Sequence, residues 1–184
     1  MATAVAAQPF GMATRVIHWA TALVVLSAWV VGSTMEEVPR GASRDLAMQL
    51  HYSLGVLVLG LAALRVAWRL ISAPPIAPAA AWARFAATAM HLTLLGLTVA
   101  VPLSGLLDRW ARGRSVTVFG GLPLPAPMPI PGGRLWGEAH EMLANLMLAA
   151  IAAHVLAALW HQLVLRDGAL SRMLGWPSPT ARSP

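Results

Sequence analysis

Four long apolar runs limit what this chain can fold into more than any other feature. They fall at about Val16–Ser33, Leu46–Leu64, Phe85–Leu107 and Met142–Leu165. An α-helix rises about 1.5 Å per residue, so each run is long enough to cross a hydrocarbon core of about 30 Å. We therefore predict an all-α fold, an integral membrane four-transmembrane-helix bundle. Residues 1–184 would form a single membrane domain, with spans at about 16–33, 46–66, 85–107 and 139–165.

The composition also favours a membrane protein. Of the 184 residues, 58% are hydrophobic and 11% are charged, whereas soluble domains have about 25% charged residues. All 13 basic residues are arginine, and with 7 acids they give a formal net charge of +6. The arginines cluster at the ends of the apolar runs, where guanidinium groups reach lipid phosphates, so we expect membrane lipid rather than nucleic acid as a partner. The absence of cysteine excludes disulfides, cysteine-ligated iron–sulfur clusters and covalent haem attachment.

An even number of spans places both termini on one side, here called the terminal side; the other is the loop side. Residues 1–14 lack the basic start of a secretory signal, so we expect the first run to remain as a span.

The orientation follows from the distribution of charge: seven arginines fall on the terminal side and six on the loop side, while most acids fall on the loop side. We favour cytoplasmic termini and a long extracytoplasmic loop at about 108–137. The VTVFGGLPLP segment of this loop is expected to lie along the interface, and Pro102 to kink the third span.

All six histidines lie within or beside the apolar runs: His18, His51, His91, His140, His154 and His161. Ionisable groups in spans are costly and usually face the bundle interior, which favours a functional site. His140 and His154 are 14 residues apart, so they share one face of the fourth helix at depths about 21 Å apart. That helix therefore offers two stacked ligands.

Because neighbouring spans run in opposite directions, each histidine of the fourth helix has a possible partner at its own depth on another span. His18 matches His154 on the terminal side, and His51 matches His140 on the loop side. If each pair held the iron of one haem, the two imidazoles would fill both of its axial positions. No position would then be vacant for oxygen, which suits electron transfer. Depth alone leaves open whether His91 replaces His18. A lone histidine in a span is commonly an interhelical hydrogen-bonding residue, and zinc or copper transport is a further interpretation because imidazole binds those ions.

Several segments resemble the prokaryotic cytochrome b561 family over about residues 14–174. They are RVIHW at Arg15–Trp19, LHYSLG at Leu50–Gly55, LRVAWR at Leu64–Arg69, AVPLSG at Ala100–Gly105, WGEAHEMLANL at Trp136–Leu146 and AAHVLAALWH at Ala152–His161. The resemblance implies a dihaem bundle in the bacterial inner membrane. It implies two non-covalent b haems with axial ligands at His18, His51, His140 and His154, and it sets His91 aside.

The resemblance also implies a function, namely superoxide oxidation at the periplasmic face coupled to ubiquinone reduction. Loop arginines would attract superoxide: Arg109, Arg112, Arg114 and Arg134. His161 would hydrogen-bond the quinone, and Arg65 and Arg69 would pair with haem propionates. The linker Ile76–Ala83 lacks the basic residues that relatives carry near the quinone site. The alternative is an electron-relay subunit between the quinone pool and a periplasmic redox partner, with no substrate of its own.

Overall fold

The computed structural model describes residues 9–72 and 80–176. Four long helices follow one another along the chain: α1 (Met12–Thr34), α2 (Ala42–Ile71), α3 (Ala81–Ala111) and α4 (Arg134–Trp160). A π-helical turn (His161–Leu165) and a short helix, α5 (Ala169–Leu174), complete the described chain. Half of the alanine-rich linker Ile76–Ala83, residues 76–79, lies outside the described residues.

The helices form an antiparallel bundle in which each packs against the next along the chain. Its buried core is small: Val25, Val58, Leu97, Val101 and Met147. Many large apolar side chains face outward instead, as is usual for helices that face lipid. All four helices are long and apolar enough to cross a membrane. The predicted all-α membrane bundle of four spans is therefore confirmed.

The helices extend beyond the apolar runs. The second run was predicted to span residues 46–66, whereas α2 begins at Ala42 and ends at Ile71; α3 gains about one turn at each end. Polar residues continue a helix past the hydrocarbon because long side chains reach the interface. At the start of α2, for example, the Arg44 guanidinium donates hydrogen bonds to the carbonyls of Glu36 and Val38.

The third linker contains an antiparallel ribbon, which the sequence interpretation had not specified. Strand β1 (Val116–Val118) pairs with β2 (Leu122–Leu124), and the turn between them has positive φ at Phe119 and Gly120, as a type I′ turn requires. Val116 and Val118 are fully buried, and the Phe119 amide donates to Ser53 Oγ at 2.8 Å. The ribbon therefore packs on the loop-side end of α2.

On the terminal side, α5 folds back against the start of α1. Arg15 donates a hydrogen bond to the Leu174 carbonyl at 3.3 Å, and Trp19 Nε1 donates to the Met173 carbonyl at 3.4 Å. Helix α5 thus holds the first turns of α1 in place, next to His18.

Candidate functional site

Five of the six histidines form two groups at different depths. The loop-side pair consists of His51 on α2 and His140 on α4, with ring centres 6.1 Å apart and ring planes at 88°. The terminal-side group consists of His18 on α1, His91 on α3 and His154 on α4. The two pairs predicted from depth are thus both brought together.

Backbone carbonyls orient the loop-side pair. His51 Nδ1 lies 2.9 Å from the Ala28 carbonyl, and His140 Nδ1 lies 2.9 Å from the Val101 carbonyl. A carbonyl only accepts, so each Nδ1 carries the proton and donates it. The Nε2 atom of each ring is then left with a free lone pair. A histidine that binds a metal through one ring nitrogen commonly donates the proton of the other to a backbone carbonyl in this way.

Each of these imidazoles also packs against a glycine of the preceding helix. A Cβ placed on Gly32 would come within 2.8 Å of His51 Cε1, and one on Gly105 within 3.1 Å of His140 Cε1 and Nδ1. The missing side chains leave the space that the rings occupy. Neither glycine was singled out from the sequence.

A cavity of about 220 Å³ is lined by both loop-side histidines, together with Gly55, Gly105 and Gly137. Arg109 and Tyr52 also line it, with the guanidinium 5.4 Å from the centre of the Tyr52 ring. Arg109 Nε is buried and has no hydrogen-bond partner among the described residues. The cavity therefore combines two imidazoles, small residues, the Asp108 carboxylate and a half-buried guanidinium whose Nε has unused donor capacity.

The terminal-side group is arranged differently. The ring centre of His154 lies 6.3 Å from that of His18 and 5.6 Å from that of His91. The Arg65 guanidinium lies 3.3 Å from His18 Nδ1. The neighbour of His18 is thus a cation, rather than a carbonyl as in the loop-side pair.

These separations can be compared with what a metal would need. A first-row metal binds an imidazole nitrogen at about 2.0–2.1 Å, and ring atoms lie about 1.1 Å from the ring centre. Imidazoles bound on opposite sides of one iron would therefore have centres about 6.2–6.4 Å apart. The three separations are 5.6, 6.1 and 6.3 Å. Over residues 9–72 and 80–176, no three acidic or histidine side chains are close enough to chelate one ion directly.

The other predicted site residues lie further out. Arg69 is exposed one turn beyond Arg65, and Arg114 is exposed after α3. Arg112 forms a salt bridge with Asp108 at 2.7 Å. Arg109, which the sequence placed in the same group as Arg112 and Arg114, is the loop-side arginine that lines the histidine cavity.

His161 lies in the π-helical turn after α4, where its Nδ1 is 2.5 Å from Asp167 Oδ2. Both side chains are partly exposed on the terminal side. This places an imidazole and a carboxylate in contact near one membrane surface.

Four spans, together with imidazoles stacked at two depths in the bundle, define a membrane cytochrome of the b type. Comparison with known families agrees, since the model of the prokaryotic cytochrome b561 family matches residues 10–176. The chain belongs to this family. It is accordingly a multi-pass membrane protein that binds b-type haem and transfers electrons.

Curated relatives are similar over almost the whole chain. It is 32% identical to cytochrome b561 homolog 2 of Escherichia coli K12 over 171 residues, which cover 90% of this chain and 91% of the relative. It is 32% identical to cytochrome b561 homolog 1 of the same strain, covering 86% and 92%. It is 31% identical to the probable superoxide oxidase CybB of Yersinia pestis, covering 86% and 91%.

Proposed function

We propose that the chain binds two b haems, one between His51 and His140 and one between His18 and His154. The observation that carries this proposal is the spacing of the imidazoles, 6.1 and 6.3 Å between ring centres. The loop-side histidines also keep Nε2 free, and glycines make room for their rings. When bound, haem supplies one-electron chemistry at iron.

Arginines near each histidine group fit the acidic edge of a haem. Arg65 on the terminal side and Arg109 on the loop side have guanidinium groups that can pair with propionates. Arg69, which is exposed at the membrane boundary one turn further along α2, would pair with a propionate as well. Because these cations lie among the spans, a carboxylate partner would offset the cost of burying them.

We further propose that superoxide is oxidised at the loop side and ubiquinone is reduced at the terminal side. Two superoxide ions would each lose one electron and become oxygen, while one ubiquinone takes up two electrons and two protons. A relative that is 31% identical is named a probable superoxide oxidase, which supports this direction. The chain would then lie in the bacterial inner membrane, with both termini in the cytoplasm and the third linker in the periplasm.

On the loop side, Arg109 is the residue best placed to attract an anion toward the histidines, because it lines their cavity. Arg112 and Arg114 would contribute to the field at longer range. On the terminal side, His161 is held through Nδ1 by Asp167, so its Nε2 atom is left to face a quinone carbonyl and pass a proton to it.

The test uses purified protein, a superoxide source and a ubiquinone analogue. We expect superoxide to reduce the haems and the quinone to reoxidise them. A haem that superoxide does not reduce would contradict the proposed donor. That result, together with normal exchange with quinone, would favour the alternative of an electron-relay subunit that serves a periplasmic redox partner.

Arg109→Gln is expected to slow haem reduction by superoxide about tenfold at low ionic strength, because a cation beside the site raises the encounter rate with an anion. The difference should shrink as salt is added, since screening weakens steering. Arg134→Gln is the matched control: it removes the same charge from a loop-side arginine that is 86% exposed, lies outside the cavity lining and would therefore act on superoxide only at longer range. Equal rates for the two variants, at equal haem content, would contradict a role for Arg109.

A further inference from the structure

All four spans carry a pair of site residues separated by the same interval. The pairs are His18 and Gly32 on α1, His51 and Arg65 on α2, His91 and Gly105 on α3, and His140 and His154 on α4. Each interval is 14 residues, or about 21 Å along a helix. The α1–α2 hairpin and the α3–α4 hairpin therefore follow one pattern, in which His91 corresponds to His18 and His154 to Arg65.

The contacts on the loop side repeat in the same way. In the first hairpin, Gly32 packs on His51, whose Nδ1 donates to the carbonyl of Ala28, four residues before that glycine. In the second hairpin, Gly105 packs on His140, whose Nδ1 donates to the carbonyl of Val101, again four residues before the glycine. Val58 and Met147, each seven residues after the loop-side histidine, are both in the buried core.

On the terminal side the contacts repeat, but one residue type changes. Arg65 touches His18 within the first hairpin, at 3.3 Å. The corresponding contact in the second hairpin is between His154 and His91, with ring centres 5.6 Å apart. The repeat therefore places equivalent histidines, His18 and His91, on α1 and α3, and both lie within about 6 Å of His154.

We propose that the terminal-side site offers His154 two interchangeable partners, His18 and its repeat counterpart His91, so that either imidazole can complete the axial pair of the haem bound there. This inference rests on the proposed haem at that site. The His18–His154 separation, 6.3 Å, matches the spacing of about 6.2–6.4 Å that one iron requires, whereas His91, at 5.6 Å, would have to move outward by about 0.7 Å to bind. The ring planes are also similarly inclined, at 63° for His18 and 67° for His91.

The loop-side pair has no third histidine nearby that could replace one of its members. His51 and His140 are themselves repeat counterparts and face one another at 6.1 Å. The sixth histidine of the chain, His161, is held by Asp167 in the turn after α4. Loss of a loop-side histidine should therefore be uncompensated, which gives the experiment an internal reference.

The test compares haem content and the low-spin EPR signal of His18→Ala, His91→Ala, the double variant and His51→Ala. We expect about two haems per chain in each of the first two variants, with an altered terminal-side signal in His18→Ala because its ligand then comes from α3. The double variant should keep about one, as should His51→Ala. The retained loop-side signal shows that the double variant is folded.

Loss of the terminal-side haem in His18→Ala alone would overturn the inference, and so would its loss in His91→Ala alone. Retention of both haems in the double variant would also overturn it. A failure of the underlying haem proposal looks different, because His154→Ala would then leave the haem content unchanged in every background.

Discussion

His140→Ala is expected to lower the haem content from about two per chain to about one. The loop-side pair would lose one of its imidazoles, and the chain has no other histidine at that depth to replace it. The orienting contacts of His140 with Val101 and Ser104 would be lost as well. The terminal-side haem should remain, because His154 lies about 21 Å away along the same helix. Haem extraction and the reduced-minus-oxidised spectrum measure both effects.

His161→Ala is the control for this variant, since it removes an imidazole from the end of the same span without touching either pair. It should retain both haems. If His140→Ala also kept its full haem content, or if both haems were lost from a protein of unchanged helix content, the assignment of His140 to one of two separate sites would be wrong.

Gly32→Ala is expected to release most of the loop-side haem. The new Cβ would come within 2.8 Å of His51 Cε1, which is closer than van der Waals contact, so the ring must shift away from the Ala28 carbonyl. Overpacking of this kind costs about 1–3 kcal/mol, which corresponds to a roughly 5- to 150-fold loss of affinity. Haem titration of the purified variant measures this loss.

Gly105→Ala should have the same effect to a smaller degree, because its Cβ would lie 3.1 Å from His140. Gly60→Ala and Gly96→Ala are the matched controls: both glycines are inside spans, and a Cβ on either meets no atom within 4 Å. Any gain in helix propensity is shared by all four variants. Equal haem affinity in Gly32→Ala and Gly60→Ala would contradict the positioning role of Gly32.

The fold was predictable from the sequence because membrane spans are encoded in continuous apolar runs, which helical periodicity and length convert directly into helices. The two histidine pairs were predictable for a related reason. Antiparallel spans fix the depth of each residue, so His51 was expected to meet His140 near the loop side and His154 to meet a histidine near the terminal side, although depth alone could not choose between His18 and His91. The helix ends were less accurate because polar residues such as Arg44 and Arg69 continue a helix beyond the hydrocarbon.

The features that the sequence did not reveal depend on how each helix is rotated about its axis and on how side chains pack, rather than on the depth of a residue in the membrane. Three arginines near the end of α3 look alike in the sequence, yet Arg109 lines the histidine cavity and Arg112 pairs with Asp108. Gly32 and Gly105 stand among many small residues, and the rings that pack on them identify them. The 14-residue interval shared by all four spans was a signal in the sequence that could have identified both glycines and the equivalence of His18 and His91.

Quantifying haem against protein in the purified chain, with a reduced-minus-oxidised spectrum of the same sample, tests the central claim most directly. We predict a b-type spectrum and about two haems per chain. One haem per chain in fully loaded protein, or a pigment content unaffected by alanine at both position 140 and position 154, would contradict the claim that stacked imidazole pairs hold one iron toward each membrane surface.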